Sequence, residues 1–420
     1  MVKSVTSRKS AYFCQECGAE YPKWQGQCGE CGAWNSLVEG LATPKAKGRA
    51  AAAGLVAASA GVQRLDQVAE EDTARIPTGL SELDRVLGGG IVPGAVVLIG
   101  GDPGIGKSTL LLQALAALEG RLSTLYVTGE ESLTQVSLRA RRLGLPRLDL
   151  PVLAETSLET VLDTLARTRP GFVVLDSIQT LYTGALEAAP GSVSQLRECA
   201  AQIVRYAKAK GAAMVLVGHV TKEGAIAGPR VLEHMVDTVL YFEHDAGSRY
   251  RIVRAVKNRF GAVNELGVFA MGDNGLREVS NPSALFLSRH EEPVPGSVIT
   301  VTRQGSRPLL VEVQALVDGS QSGNPRRVAL GLEGNRLAML LAALSSFRGR
   351  PVPHDLVVFG EVGLAGEIRP VQGGEERLQE AAKHGFKRAI VPEANKPRRS
   401  VKLDLEVIAV QRLSQALEHI

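Results

Sequence analysis

The sequence predicts an α/β fold in which crossover helices connect the strands of a mostly parallel sheet. A small metal-binding module precedes this fold. Apolar runs of strand length alternate with stretches at helical spacing, as in parallel α/β sheets. A phosphate-loop sequence, Gly101-Asp-Pro-Gly-Ile-Gly-Lys-Ser108, lies between one such strand and one such helix. Two Cys-x-x-Cys pairs open the chain. These three observations together predict a nucleotide-binding protein with a metal-binding adaptor.

Length and charge limit the number of domains and the classes of protein that the chain can belong to. The 420 residues, 45% of them hydrophobic, are enough for about two to four domains. The net charge of +4 arises from residues 1–65, where eight Lys and Arg face four Glu, while the remainder holds forty of each sign. Net charge therefore does not by itself predict DNA binding. Without a leading apolar run or a stretch of about 20 apolar residues, we expect a cytoplasmic protein that does not contact the membrane.

The four cysteines Cys14, Cys17, Cys28 and Cys31 predict a closed zinc site. Each Cys-x-x-Cys turn brings two thiolates to one ion, and two turns supply the tetrahedral set that structural Zn²⁺ requires. The alternative is a pair of disulfides, which would leave Cys199 as an odd thiol in a chain without secretory features. Zinc is the favoured interpretation, and it leaves no coordination position open for catalysis.

Aromatic residues lie between and after the cysteine pairs. Tyr21, Trp24 and Trp34, with Lys23, are suited to stacking on bases and contacting phosphate. They could equally be the core of the module, and its small size favours that second interpretation. Residues 41–65, rich in alanine and basic residues, predict a flexible linker to the nucleotide-binding domain.

The phosphate loop has the local context of a functional one. Val96–Ile99 predicts a buried strand, and Leu110–Leu118 has helical spacing. Backbone N–H groups would hold the β-phosphate, Lys107 would reach the β- and γ-oxygens, and Ser108 would bind Mg²⁺. A Rossmann dinucleotide turn is disfavoured because Gly-Lys-Ser is the wrong ending. The predicted nucleotide-binding residues of the loop are Gly101, Asp102, Pro103, Gly104, Ile105, Gly106, Lys107, Ser108 and Thr109.

Polar residues follow three further predicted strands. Glu130 and Glu131 come after the strand at 124–128, where one of them could activate water or both could simply favour the helix N-terminus. Asp176 ends an apolar strand, as a Walker-B carboxylate that binds Mg²⁺ does. His219 ends another and could sense the γ-phosphate, although a lone histidine is more often structural. In a parallel sheet these ends share one edge.

Lys257 and Arg259 belong to the segment Lys257-Asn-Arg-Phe-Gly261 after a β-rich region. Two residues apart, they would share one strand face and could enter the nucleotide site of a neighbouring subunit, where an arginine acting in trans stabilises transition-state charge. The alternative is a basic strand edge that prevents aggregation. The chemistry of the two residues alone favours neither action in trans nor the basic strand edge.

The combination of the cysteine module, Thr78-Gly-Leu-Ser-Glu-Leu-Asp84, Gly-Glu-Glu-Ser132 and Lys257-Asn-Arg-Phe-Gly261 resembles the bacterial RadA (Sms) family over nearly the whole chain. The resemblance implies a RecA-like P-loop ATPase core using ATP, Mg²⁺ and Zn²⁺. It implies a homo-oligomeric, hexameric ring on single-stranded and branched DNA, a RecA-type recombinase as partner, and branch migration of recombination intermediates. It also implies that Lys107, Ser108 and Asp176 bind nucleotide and Mg²⁺, that Glu130 or Glu131 is the base, and that Lys257 and Arg259 act across the subunit boundary.

The C-terminal part resembles the peptidase domain of Lon, an α+β domain, through Gly349-Arg-Pro-Val, Phe359–Pro370 and Lys387–Pro392. When the alignment is anchored on Gly349-Arg-Pro-Val, the serine and lysine of a Lon-type dyad fall near Gly334 and Glu376, so we expect an inactive domain. Ser345, Ser346 and Lys383 lie out of register. The predicted organisation is a Cys₄ module at 1–40, the linker at 41–65, the ATPase domain at 66–280 and the Lon-like domain at 281–420.

Three functions compete at this point. The first is a DNA-dependent ATPase and helicase-like motor. The second is a recombination mediator in which ATP binding only switches DNA affinity. The third is an ATP-dependent protease, which the missing dyad disfavours.

Overall fold

A computed structural model describes residues 10–15, 19–21, 23–41, 75–219, 229–244, 248–285, 287, 294–315, 336–363, 365–397 and 403–419. Cys17, Gly334 and nearly all of the predicted linker lie outside the described residues. The chain divides into two compact units, Met1–Val279 and Ser280–Ile420. Within the described part of the chain, no helix has both the length and the hydropathy needed to cross a membrane.

The first unit contains the cysteine module and the nucleotide-binding fold. Its strands are β1 (Ser10–Cys14), β2 (Glu20–Tyr21), β3 (Leu37–Leu41), β4 (Val96–Gly101), β5 (Thr124–Thr128), β6 (Val152–Ala154), β7 (Phe172–Asp176), β8 (Ala213–His219), β9 (Thr238–Glu243), β10 (Tyr250–Asn258), β11 (Leu266–Gly272) and β12 (Gly275–Glu278). Its helices are α1 (Ser81–Leu87), α2 (Lys107–Leu118), α3 (Leu133–Arg142), α4 (Leu158–Thr168) and α5 (Val193–Lys210), with a 3₁₀ turn at Pro229–Leu232.

Nine of these strands form one sheet in the order β12-β11-β10-β9-β4-β8-β7-β5-β6. The six strands from β9 to β6 are parallel, while β10, β11 and β12 extend the sheet in antiparallel pairing. β4 and β7 are buried along their whole length, which explains their uninterrupted apolar runs. β1, β2 and β3 form a separate small antiparallel sheet in the cysteine module.

Helices cover both faces of the large sheet. On one face, α1 and α2 pack leucines such as Leu83, Leu111 and Leu115 onto β4 and its neighbours. On the other face, α4 and α5 contribute residues such as Leu165 and Ile203. Serine side chains cap the N-termini of α3, α4 and α5 by accepting hydrogen bonds from backbone N–H groups.

The second unit is an α+β domain. Its strands are β13 (Ser297–Gln304), β14 (Arg307–Gln314), β15 (Leu356–Val358), β16 (Glu361–Val362), β17 (Ile368–Arg369), β18 (Arg388–Pro392) and β19 (Glu406–Val410). Its helices are α6 (Arg336–Arg348), α7 (Gly374–Lys383) and α8 (Leu413–Leu417), with 3₁₀ turns at Pro282–Leu285 and Glu393–Asn395. Five strands pair in the order β14-β13-β15-β18-β19, and β16 pairs with β17. The mixed sheet and flanking helices agree with the predicted fold class.

Candidate functional sites

The register of the large sheet brings the predicted site residues to one edge. Gly101, at the end of β4, pairs with His219 at the end of β8. Thr128, at the end of β5, pairs with Asp176 at the end of β7. Since β7 and β8 are also neighbours, the carboxyl ends of four strands adjoin one another. This edge is where open α/β sheets bind ligands.

The phosphate loop connects β4 to α2 through glycines that no other residue could replace without strain. Gly104 and Gly106 have φ values of 75° and 119°, in the left-handed region. A Cβ on Gly101 would lie 2.8 Å from the Cβ of Phe242, and one on Gly106 would lie 2.7 Å from Cε of Met271. Gly106 is also the N-cap of α2 and provides no side-chain cap. The first N–H groups of α2 therefore point into a site suited to an anion.

Lys107 lies at the start of α2 with its ammonium group inside the loop. Its Nζ donates hydrogen bonds to the carbonyl oxygens of Gly101 and Asp102, at 2.7 and 2.9 Å. Burial lowers the pKa of Lys107 to about 8, although Asp176 and Glu130 partly oppose that shift. The loop thus holds a cation that has lost much of its hydration, which strengthens its attraction for phosphate.

His219 connects the lysine to a carboxylate. Its Nδ1 lies 3.3 Å from Nζ of Lys107, and its Nε2 lies 3.0 Å from Oε1 of Glu130. Because an ammonium can only donate, Nδ1 is the acceptor for Lys107, and Nε2–H can donate to Glu130. The lone histidine therefore belongs to the same cluster as the phosphate loop.

Glu130 is held by two donors. The Ser177 hydroxyl donates to its Oε1 at 2.5 Å, beside the bond from His219. The hydrogen bond from His219, followed by that from Ser177, lowers the pKa of Glu130 to about 2 despite the opposing effect of burial. This carboxylate is ionised throughout the neutral range and faces the phosphate loop, as a group that activates water must.

Glu131 lies in a different environment from its neighbour. It forms an ion pair with Arg139 of α3, and its backbone N–H donates to the Thr128 hydroxyl. Because Arg139 belongs to α3 and Glu131 follows β5, this ion pair attaches α3 to the end of β5. The side chains of the two adjacent glutamates thus bind different partners.

Asp176 is buried at the end of β7, and Tyr126 donates its hydroxyl proton to Oδ2 of Asp176 at 2.5 Å. Burial and the neighbouring carboxylate raise the pKa of Tyr126 and keep it protonated. Sequence reasoning missed this tyrosine, because nothing in an apolar strand indicates which side chain will reach an aspartate on the next strand. Ser108 and Thr109 lie in the first turn of α2, behind Lys107.

Lys257 and Arg259 lie at the opposite edge of the sheet from the phosphate loop. Lys257 is the penultimate residue of β10 and follows a bulge, and its Nζ donates to the carbonyl oxygens of Glu233 and Val236. Arg259 follows the strand and pairs with buried Asp237 at 3.3 Å. Burial, followed by the nearby Arg259 charge, lowers the pKa of Lys257.

Asp237 links this basic pair to the sheet. Its Oδ2 accepts from the backbone N–H of Val96 at 3.0 Å and from Lys208 at 2.5 Å. Its carbonyl accepts from the backbone N–H of Arg259 at 3.1 Å. The segment that presents Arg259 is therefore attached to the first residue of β4.

Three of the four predicted zinc ligands are described, and they converge. The sulfur atoms of Cys14, Cys28 and Cys31 lie within 4.8 Å of one another, and those of Cys14 and Cys31 are 3.6 Å apart. Two thiolates on one tetrahedral zinc ion would be about 3.8 Å apart, so the described donors fit Zn²⁺. None of the described cysteines forms a disulfide. The spacing of these three cysteines therefore supports the zinc interpretation over the disulfide one.

Cys199 is unrelated to this cluster. It is fully buried in α5, and burial raises the pKa of its thiol to about 12. Its sulfur donates to the Gln195 side chain at 4.0 Å. It is a core residue rather than a ligand.

The aromatic residues of the cysteine module divide into two kinds. The Tyr21 hydroxyl lies 3.4 Å from the sulfur of Cys28 and so supports the metal site. Trp24 and Trp34 are 56% and 71% exposed. The interpretation that the aromatics form the core of this module is therefore wrong for both tryptophans.

In the second unit, the structure describes Ser345, Lys383 and Glu376. The Ser345 hydroxyl is buried, accepting from the N–H of Gly296 and donating to the carbonyl of Arg350. Lys383 is exposed at the last turn of α7, and Glu376 is exposed near its start. These described residues do not form a serine–lysine pair.

The fold and these sites define a P-loop ATPase with an N-terminal zinc ribbon and a Lon-type C-terminal domain. Family models match accordingly: an AAA domain over residues 62–225, a rubredoxin metal-binding domain over 12–39, and the Lon protease (S16) C-terminal proteolytic domain over 334–420. These matches confirm the predicted fold class.

Curated relatives match nearly the full chain. The DNA repair protein RadA of Pseudomonas aeruginosa is 58% identical, with 99% of each chain covered. That of Escherichia coli is 52% identical over 97% of this chain and 98% of its own, and that of Bacillus subtilis is 47% identical over 98% and 99%. The chain belongs to the RadA family of DNA repair proteins, which confirms the resemblance found in the sequence.

Proposed function

We propose that the chain is a DNA-dependent ATPase that acts as a hexameric, helicase-like motor in homologous recombination and DNA repair and promotes branch migration. Membership of the RadA family supports a role in DNA repair, and the AAA domain supports ATP binding and hydrolysis. Its proposed partners are single-stranded and branched DNA and a RecA-type recombinase, and its proposed location is the cytoplasm.

The cluster at the sheet edge supports hydrolysis rather than binding alone. Lys107 and the N–H groups of α2 would bind the phosphates, while Ser108 and Asp176 would hold Mg²⁺, which neutralises charge on the β- and γ-oxygens. Glu130 is ionised and held by Ser177 and His219, so it would orient and deprotonate the attacking water. A pure binding switch needs no such base.

The observation that carries the motor proposal is the position of Arg259. Its backbone is bonded to Asp237, which is bonded to Val96 at the beginning of β4, whereas the phosphate loop begins at Gly101, the end of that strand. Five residue steps of about 3.3 Å separate these levels by roughly 16 Å, which is more than an arginine side chain spans. Arg259 therefore cannot serve its own nucleotide site. If it completes a site, that site belongs to another copy of the chain.

The test compares single-turnover ATP hydrolysis with and without single-stranded DNA, using Lys107→Ala as the inactive control. We expect DNA to stimulate hydrolysis, and electron microscopy with a non-hydrolysable nucleotide to show rings. ATP-dependent DNA binding with negligible turnover would favour the mediator instead. Filaments would favour strand exchange.

We propose that the Lon-type domain is an inactive scaffold. Ser345 has its proton and a lone pair committed to backbone groups. Another buried serine, Ser283, shares the Glu380 carboxylate with His384 instead of bonding to the histidine, so it is not activated as a nucleophile. ATP-dependent degradation of casein by the purified protein, lost in a serine variant of the domain, would contradict this proposal.

A further inference from the structure

The zinc module exposes two indole rings side by side. The rings of Trp24 and Trp34 both come within 4.0 Å of the position that a Cβ would have on Gly26. Both rings therefore lie beside Gly26, which has no side chain to cover them. Two large aromatic rings exposed on so small a module are costly unless something covers them.

The backbone under the rings is fixed. Trp34 forms an antiparallel bridge with Gln27, and the N–H of Asn35 donates to the carbonyl of Gly26 at 2.8 Å. Cys28 and Cys31 lie between the bridged residues, so the zinc site closes the same turn. The backbone at Trp34 and Gly26 is thus held in place before any partner arrives, which lowers the entropy cost of binding.

We propose that Trp24 and Trp34 form a stacking platform for unpaired bases of single-stranded DNA. The inference rests on the proposed DNA-directed function. Flat indole faces bind the flat faces of bases. Within the described part of this module, the only other large apolar side chain that is exposed is Val38. Lys23, also exposed, is adjacent in sequence to Trp24 and supplies a cation for the phosphate backbone.

The platform selects unpaired DNA. In a duplex the base faces are stacked on one another and are not available to an indole, while single strands present them freely. The platform also carries no sequence preference, since every base has an aromatic face. Its role would be to hold a displaced single strand near the motor.

The chain itself provides the probe, because its two tryptophans are both in this module. Full-length, zinc-loaded protein is titrated with an oligothymidine while tryptophan emission is recorded without nucleotide. We expect strong quenching that saturates, and little change with a blunt duplex of equal length. Binding is followed in parallel by anisotropy of a dye-labelled oligothymidine.

The variants separate stacking from folding. Trp24→Ala and Trp34→Ala should each weaken oligothymidine binding by about tenfold, while Trp→Phe at either position should restore most of it. Val38→Ala, in the same module, is the matched control and should bind as the unaltered chain does. Zinc content is measured for every variant, and equal zinc shows that the module is intact.

Unchanged emission while anisotropy reports binding would overturn the proposal, and so would tryptophan variants with normal zinc and normal affinity. Quenching by a recombinase but not by oligothymidine would also overturn it and would assign the surface to a protein. The motor proposal is tested separately by DNA-stimulated hydrolysis. Quenching without DNA-stimulated hydrolysis would support the stacking platform and contradict the proposed motor function.

Discussion

Replacing the two adjacent glutamates by glutamine, one at a time, should have different consequences for ATP hydrolysis and for stability. Glu130 faces Ser177 and His219 beside the phosphate loop, whereas Glu131 is paired with Arg139. Glutamine preserves size and some hydrogen bonding but removes the ionised oxygen that accepts a proton. Only the change at Glu130 should therefore remove chemistry.

For Glu130→Gln we expect ATP hydrolysis to fall by about 10²- to 10⁴-fold, the usual contribution of a positioned general base. Nucleotide affinity should change little, since Lys107 and the loop N–H groups remain. Because the pKa of Glu130 is lowered to about 2, hydrolysis in the unaltered chain should show no loss of this base on acidification to about pH 5. Single-turnover hydrolysis and binding of a fluorescent nucleotide measure the two quantities.

For Glu131→Gln we expect near-normal hydrolysis but a less stable ATPase domain. The side chains of Glu131 and Arg139 are 29% and 21% exposed, between a surface ion pair and a buried one. Removing the charge should lower the unfolding free energy by about 1–3 kcal/mol, because the arginine is left poorly paired. Thermal unfolding followed by circular dichroism measures this change. Loss of hydrolysis in Glu131→Gln with retention in Glu130→Gln would refute the assignment.

Three further predictions concern other parts of the chain. Arg259→Ala should keep nucleotide binding and lose about 10³-fold or more of DNA-stimulated hydrolysis. Arg205→Ala, which changes a partly exposed ion-pair residue on α5, should retain it. Full hydrolysis by an Arg259→Ala protein shown to be monomeric would contradict action in trans. Nucleotide affinity should be full below about pH 8 and fall above it, because the pKa of Lys107 is about 8 and the neutral amine no longer attracts phosphate. Calorimetry in buffers of different ionisation heat would detect the proton uptake that accompanies binding. Constant nucleotide affinity up to about pH 9 would contradict this prediction. Cys28→Ser should release zinc, measured by atomic absorption, and leave ATP binding intact; retention of one zinc per chain would exclude Cys28 as a ligand.

The sequence predicted those features that are local. The strand at 124–128 has the predicted bounds, and the strand at 172–176 ends at Asp176 as predicted, because each is a continuous run buried on both faces. The phosphate loop is recognisable because its glycines, lysine and serine lie within one segment of eight residues. A sheet-edge cluster could be anticipated because parallel strands end together.

The sequence could not predict contacts that depend on side-chain direction. Adjacent Glu130 and Glu131 differ only through partners far away in sequence, His219 and Arg139. The hydrogen bond from Tyr126 to Asp176 joins two strands whose pairing has no local signal. The small size of the cysteine module favours a core role for its tryptophans, but size does not indicate which way a side chain faces.

The burial of Cys199 has a practical consequence for chemical labelling. A thiol with a pKa of about 12 and no exposed surface carries almost no thiolate at neutral pH, so alkylating reagents should not modify it in the folded protein. The remaining four of the five cysteines belong to the N-terminal pairs. Covalent modification of the native chain would then report metal release directly, and counting the added groups by mass spectrometry would measure the metal-free fraction in any preparation.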